Sequence, residues 1–320
     1  MANRLFFPFR QPRTLAQRRR QQRRHMLFMR ALRAVHNAST PTEMTVEELE
    51  KQRRGQELLG RLAAPSAGTR WAPFTIDGMP CAWTYPLGRQ KSRRVILYCH
   101  GGGYTSGNLG YSRVLASKLA HVSGAPVLAF EYRLAPEHPY PAAVEDAVKV
   151  WDYLMYQGHG AQDIIIAGDS AGGNLALVLT LLLKKARRRL PCALLLFSPW
   201  TDMTAGGKSY RERAAADPVL TPAYIDGVRE AYAHGRKLSD WRLSPLFGRF
   251  RGFPPTLIQV GTNEILYSDA SALQRRLQQA GVVNRLEVWE EMWHVFQMFP
   301  TRKATDAMRR VAVFLGEVLE

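Results

Sequence analysis

Cysteine is scarce in this chain, acid is missing from its first 36 residues, and no apolar run is long enough to span a bilayer. Each shortage excludes something. Three widely scattered cysteines, Cys81, Cys99 and Cys192, are an odd set and make no disulfide framework. Two lie in apolar strand-like runs and read as buried thiols, which fits a reducing, cytoplasmic compartment. No zinc spacing joins them to the histidines, so no metal site is expected. Leu5-Phe6-Phe7-Pro8-Phe9 is too short for the apolar core of a signal peptide.

The formal net charge of +17 suggests nucleic acid until it is divided. Ten of the 44 Lys and Arg fall in residues 1–36 with no acid among them, leaving about +7 for the rest of the chain. No aromatic platform accompanies these arginines, so no nucleic-acid partner is expected. Met26, Leu27, Met29, Leu32 and Val35 have the spacing of an amphipathic helix. The plain reading is a solvated helix laid over the body; the alternative is weak contact with an anionic membrane surface.

What is present is an α/β pattern. Thr45 to Leu62 reads as a helix with Glu47 and Glu48 in its first turn, where the helix dipole favours acids. A linker, Pro65–Thr69, follows. Strands are then expected at Trp71–Ile76, Cys81–Tyr85, Arg94–Cys99, Pro126–Tyr132, Ile164–Ala167, Ala193–Ser198, Thr256–Val260 and Arg285–Trp289. Asp77-Gly78 signals a hairpin between the first two. Helical patterns alternate with the later strands, which implies a mostly parallel sheet of about eight strands. Residues 200–250 look irregular, with a turn at Asp217–Pro222 leading into a helix. The last strand is a candidate sheet edge and hence a possible homodimer surface.

Ligands of such sheets bind beyond the carboxyl ends of the strands. Two stretches stand there. Gly168-Asp169-Ser170-Ala171-Gly172 is a G-x-S-x-G turn between a buried strand and a buried helix, a geometry that lifts a serine hydroxyl above the sheet. His100-Gly101-Gly102-Gly103 offers backbone N–H groups without side chains to block them. A serine needs a base, and the base needs an orienting group. On an elbow of this kind the acid and then the histidine follow the serine along the chain. Only His234 and His294 follow Ser170, and His234 sits in the irregular region, so His294 is the candidate base. Glu264 stands just past a strand end and is the candidate acid; Asp269, already in a helical pattern, is the alternative. Gly102, Gly103 and the amide of Ala171 are candidate donors to a developing oxyanion. His100 lies too early in the order and reads as a loop stabiliser. Pro136, Pro139 and Pro141 read as scaffold. Trp200 and Phe296 are candidate substrate contacts, although large aromatics are more often plain core.

Four motifs in order carry a resemblance: His100–Gly103, Tyr132-Arg133-Leu134-Ala135-Pro136-Glu137, Gly168–Gly173 and Ser198-Pro199-Trp200-Thr201-Asp202. Together they resemble the hormone-sensitive-lipase-like α/β-hydrolases, over roughly residues 70–319. The resemblance implies a cofactor-free carboxylesterase acting on small short-chain acyl esters. It also implies a helical cap, built from residues 1–69 and an insertion around 201–250 of the 70–320 catalytic domain. Glu264-Ile265-Leu266 departs from the commoner Asp-Pro-Leu, and His294-Val295-Phe296 from His-Gly-Phe. Deacetylation of sugars or xylan would use the same groups. A non-catalytic ligand-binding relative would lack the serine or the histidine, and both are here.

Overall fold

A computed structural model describes residues 23, 26–36, 44–62, 66, 68–88 and 92–319. Pro65 and Ala67 of the linker and the first 22 residues, with the basic start of the chain, lie outside the described residues. Eight strands form one sheet: β1 (Thr69–Ile76), β2 (Met79–Pro86), β3 (Val95–Cys99), β4 (Val127–Phe130), β5 (Ile164–Asp169), β6 (Ala193–Phe197), β7 (Thr256–Gly261) and β8 (Asn284–Trp289). Their order is β1-β2-β4-β3-β5-β6-β7-β8, with the β1–β2 and β2–β4 pairs antiparallel and the other pairs parallel. The fourth strand is shorter than its sequence pattern, because the chain turns away at Glu131 to run into the proline-rich loop. Asp77 and Gly78 both have positive φ, as the β1–β2 hairpin turn requires.

Alternation along each buried strand sorts the core into two layers. Val95, Leu97, Ile164, Ile166, Leu194, Leu196, Ile258 and Val260 face one side. There they meet α4 (Ala142–Tyr156), α5 (Ala171–Lys185) and α8 (Tyr267–Gln279). Ile96, Tyr98, Val127, Ile165, Leu195 and Leu257 face the other, under α3 (Leu109–Ser123) and α9 (Arg302–Leu319). Central parallel strands buried on both faces therefore read as continuous apolar runs.

Over the carboxyl rim of the sheet lie α1 (residues 26–36), α2 (Val46–Leu62), α6 (Ser209–Glu212) and α7 (Pro222–Ala233). Thr221 caps α7 by accepting from the Tyr224 N–H at 3.1 Å, and Pro222 opens it, where a missing N–H costs nothing. β8 is a sheet edge, and its residues are only partly buried. No helix among the described residues is long and apolar enough to cross a membrane.

Candidate active site

Parallel register aligns the strand ends. Cys99 pairs with Gly168, Asp169 with Phe197, and Gly261 with Trp289, so the residues that follow β3, β5, β6, β7 and β8 share one rim. Ser170 sits between β5 and α5 with φ 53° and ψ −120°, a strained conformation for a residue with a Cβ. The glycines on either side are required by space: a Cβ on Gly168 would stand 2.2 Å from the Gly172 carbonyl oxygen, and one on Gly172 2.0 Å from that of Cys99. The turn is held by the Ser170 N–H on the Phe197 carbonyl at 2.9 Å. The Ser170 hydroxyl makes no hydrogen bond with another described residue. In a site without substrate such contacts are often loose and tighten in the complex.

His294 and Glu264 are in contact, Nδ1 to Oε2 at 3.1 Å, both buried. Their loops are locked together by backbone: the Asn263 N–H donates to the Met292 carbonyl at 2.8 Å and the Glu291 N–H to the Thr262 hydroxyl at 2.8 Å. The second carboxylate oxygen of Glu264 accepts from the Gly261 N–H at 2.6 Å and from the Ser198 hydroxyl at 2.8 Å. That hydroxyl in turn accepts from the Val295 N–H at 3.1 Å, so Ser198 bridges the acid loop and the histidine loop. Burial pulls the His294 pKa down. The Glu264 hydrogen bond and charge, with Asp217 and Asp169 nearby, outweigh burial and leave the imidazole above its ordinary value.

Asp269 is elsewhere. Its buried carboxylate accepts from the Thr201 and Asp202 N–H groups at 2.7 and 2.9 Å, and burial pushes it up to about 7. His234 is exposed at the left-handed C-cap of α7. His100 is buried and stacked on Tyr132 at 4.1 Å, with Nδ1 2.8 Å from the Gly101 carbonyl; burial pushes it down to about 4, so it stays neutral as a loop stabiliser.

After β3, Gly102 and Gly103 have φ of 113° and 64°. A Cβ on Gly102 would come within 2.3 Å of the Ser106 carbonyl oxygen. Asp169, the variable residue before the serine, accepts from Gly101 N–H and from the hydroxyls of Tyr98 and Tyr111, at 3.0, 2.5 and 2.6 Å. The N–H groups of Gly102, Gly103 and Ala171 donate to no partner among the described residues. Trp200 and Phe296 are both fully buried but in different core clusters, Phe296 with Met292, Trp293, Ala304 and Ala307.

A family model described as alpha/beta hydrolase fold matches residues 96–298. A crystal structure of an esterase from the bacterial hormone-sensitive lipase family superposes with TM-score 0.85 at 34% identity, over 92% of this chain and 98% of that one. This chain is a hormone-sensitive-lipase-like α/β-hydrolase. An acetyl-hydrolase of Streptomyces hygroscopicus is 38% identical over 246 residues, 77% of this chain and 80% of that protein. An esterase of Acinetobacter venetianus is 38% identical over 227 residues, covering 70% and 75%. The hydrolase is accordingly a carboxylic ester hydrolase.

Sequence reasoning missed the groups that hold this hydrolase's rim in place. Ser198 and Asp169 stood inside recognised motifs without an assigned task. Asp217 accepts from the N–H groups of Val219, Leu220 and Ile265 at 2.8, 2.9 and 2.9 Å, tying the segment before α7 to the residue after Glu264. Arg53 and Gln56 of α2 grip the glycine loop, and nothing in their local pattern marked them.

Proposed function

We propose that the enzyme hydrolyses short-chain acyl esters through Ser170 as nucleophile, His294 as general base and acid, and Glu264 as the group that orients the imidazole. The buried 3.1 Å contact between His294 Nδ1 and Glu264 Oε2, on the same rim of the sheet as the strained Ser170 turn, carries this reading. With Nδ1–H donated to Glu264, Nε2 is left as the acceptor for the serine proton. The serine oxygen then bonds to the ester carbonyl carbon, and the carbonyl electrons move onto oxygen. The N–H groups of Gly102, Gly103 and Ala171 receive that charge in this reading, each such donor contributing ~2.7–4 kcal/mol in comparable sites. The imidazolium returns its proton to the leaving alkoxide. Water, deprotonated by the same imidazole, then releases the acid from the serine.

Residues 1–69 and the 201–250 insertion serve as the cap in this reading. Trp200 and Phe296 shape the site from within the core. A short-chain preference is supported by the acetyl-hydrolase among the relatives, and deacetylation of a sugar is the second reading it favours. A hydrolysis series over p-nitrophenyl esters of increasing acyl length, with acetylated sugars in the same panel, tests both. Fastest turnover on two- to four-carbon acyl groups is expected; a maximum at long chains would contradict it. A fluorophosphonate should label Ser170 alone.

A further inference from the structure

Helix α1 is apolar on the side where a surface helix is ordinarily polar. Its inner side is occupied: Met29 and Leu32 pack against the Met292, Trp293 and Phe296 cluster, and the Phe28 ring lies 5.2 Å from that of Trp293. Arg33 anchors the same side by donating to the Ala215 and Asp217 carbonyls at 2.6 and 2.7 Å. On the outer side Met26 and Leu27 are each 56% exposed, with Ala31 and Ala34 exposed beside them. The exposed charges among the described residues of 23–36 are Arg23 and Arg30, both positive. They belong to a segment with ten arginines and no acid.

We propose that the outer face of α1, with Arg23 and Arg30, docks on an anionic lipid surface. Apolar side chains set among cations suit the boundary between acyl chains and phosphate headgroups, where both are used at once. Nucleic acid would engage the arginines and leave Met26 and Leu27 in water. A second copy of the chain would bury those two but bring like charges face to face. The inner side of α1 rests on Trp293, the neighbour of His294, so docking sets the rim of the sheet beside the lipid. Amphiphilic acyl esters held in that surface are then the substrates nearest to Ser170. This last step rests on the esterase reading above, whereas the docking does not.

The test is sedimentation of the full chain with vesicles of phosphatidylcholine alone or with about a third phosphatidylglycerol. Binding to the anionic vesicles should be stronger by ~10-fold or more, and should be lost in ~0.5 M NaCl, where screening acts within a few Å. Met26→Asp with Leu27→Asp should weaken it by ~10-fold or more, and Arg23→Gln or Arg30→Gln by up to ~5-fold each. All should keep the thermal midpoint and the turnover of a water-soluble short ester. Ser170→Ala should bind vesicles like the parent, so loss of esterase activity and loss of docking are read separately. Equal binding to both vesicles, no binding to either, or indifference to the Met26 and Leu27 substitutions would overturn the proposal. So would a double substitution that dissolves an oligomer and leaves vesicle binding intact.

Discussion

Among the rim residues that adopt positive φ without being glycine are Ser198 at φ 47° and Val295 at φ 48°. For a β-branched side chain this costs ~1–2 kcal/mol. Glycine at 295 removes that strain but gives up a buried valine, worth ~1.5 kcal/mol or more, so Val295→Gly should change stability in urea by less than ~1 kcal/mol. Ser198→Ala removes a hydrogen bond to a carboxylate and leaves the Val295 N–H without its acceptor, each about 1–3 kcal/mol. A fall in kcat of ~10-fold or more at nearly constant KM is expected; an unchanged kcat would show that the bridge does not position the acid. The pH dependence follows from His294. Its imidazole must be neutral to accept the serine proton, and its pKa is raised, so activity is lost as pH falls and the midpoint lies above the ordinary value of about 6.5. Glu264→Gln deletes the main influence raising it. That variant should lose ~10²–10⁴-fold in kcat/KM and move the limb to lower pH. A severe loss at Asp269→Asn with a mild one at Glu264→Gln would transfer the role. Sequence position separated these two acids well, since one follows a strand end and the other is inside α8. The bridging task of Ser198 was not legible, because it depends on which loops the sheet order sets side by side.

Elements with a strong period were legible. All eight strands and the helices that alternate with them lie where apolar runs and repeats put them, because burial on a sheet face or helix stripe imposes those periods. Helices α1, α2 and α7 of the cap were legible as elements, α7 by its turn and Pro222, but what holds them to the sheet was not. They are held by side chains reaching backbone across large gaps in sequence. Arg53 of α2 donates to the Thr105 and Ala135 carbonyls, both at 2.9 Å, and its guanidinium pairs with Glu137. Gln56 accepts from the Gly107 N–H at 2.9 Å. Ser106, between them, donates its N–H to the Gly102 carbonyl at 3.0 Å. Through this chain α2 fixes the loop that carries the candidate oxyanion donors. Arg53→Met should lower kcat by ~10-fold or more with KM little changed, and weaken a trifluoromethyl ketone inhibitor by the same factor. Loss in KM alone would assign Arg53 to substrate binding, against this account.

At the scale of the molecule, the doubly covered parallel sheet delivers residues 170, 264 and 294 from the ends of β5, β7 and β8 to one rim. No local pattern contains that convergence; it follows from strand order, which no stretch of the sequence states. The charge of the whole is likewise uneven, with ten of its arginines and no acid before residue 37. Groups that act as one unit are non-additive when removed. The decisive measurement is therefore kcat on a short p-nitrophenyl ester for Ser170→Ala, His294→Ala and the double variant. Each single change should cost ~10⁴-fold or more, and the double should be no worse than either. Losses that multiply in the double variant, or a single variant that keeps turning over, would contradict a shared catalytic unit.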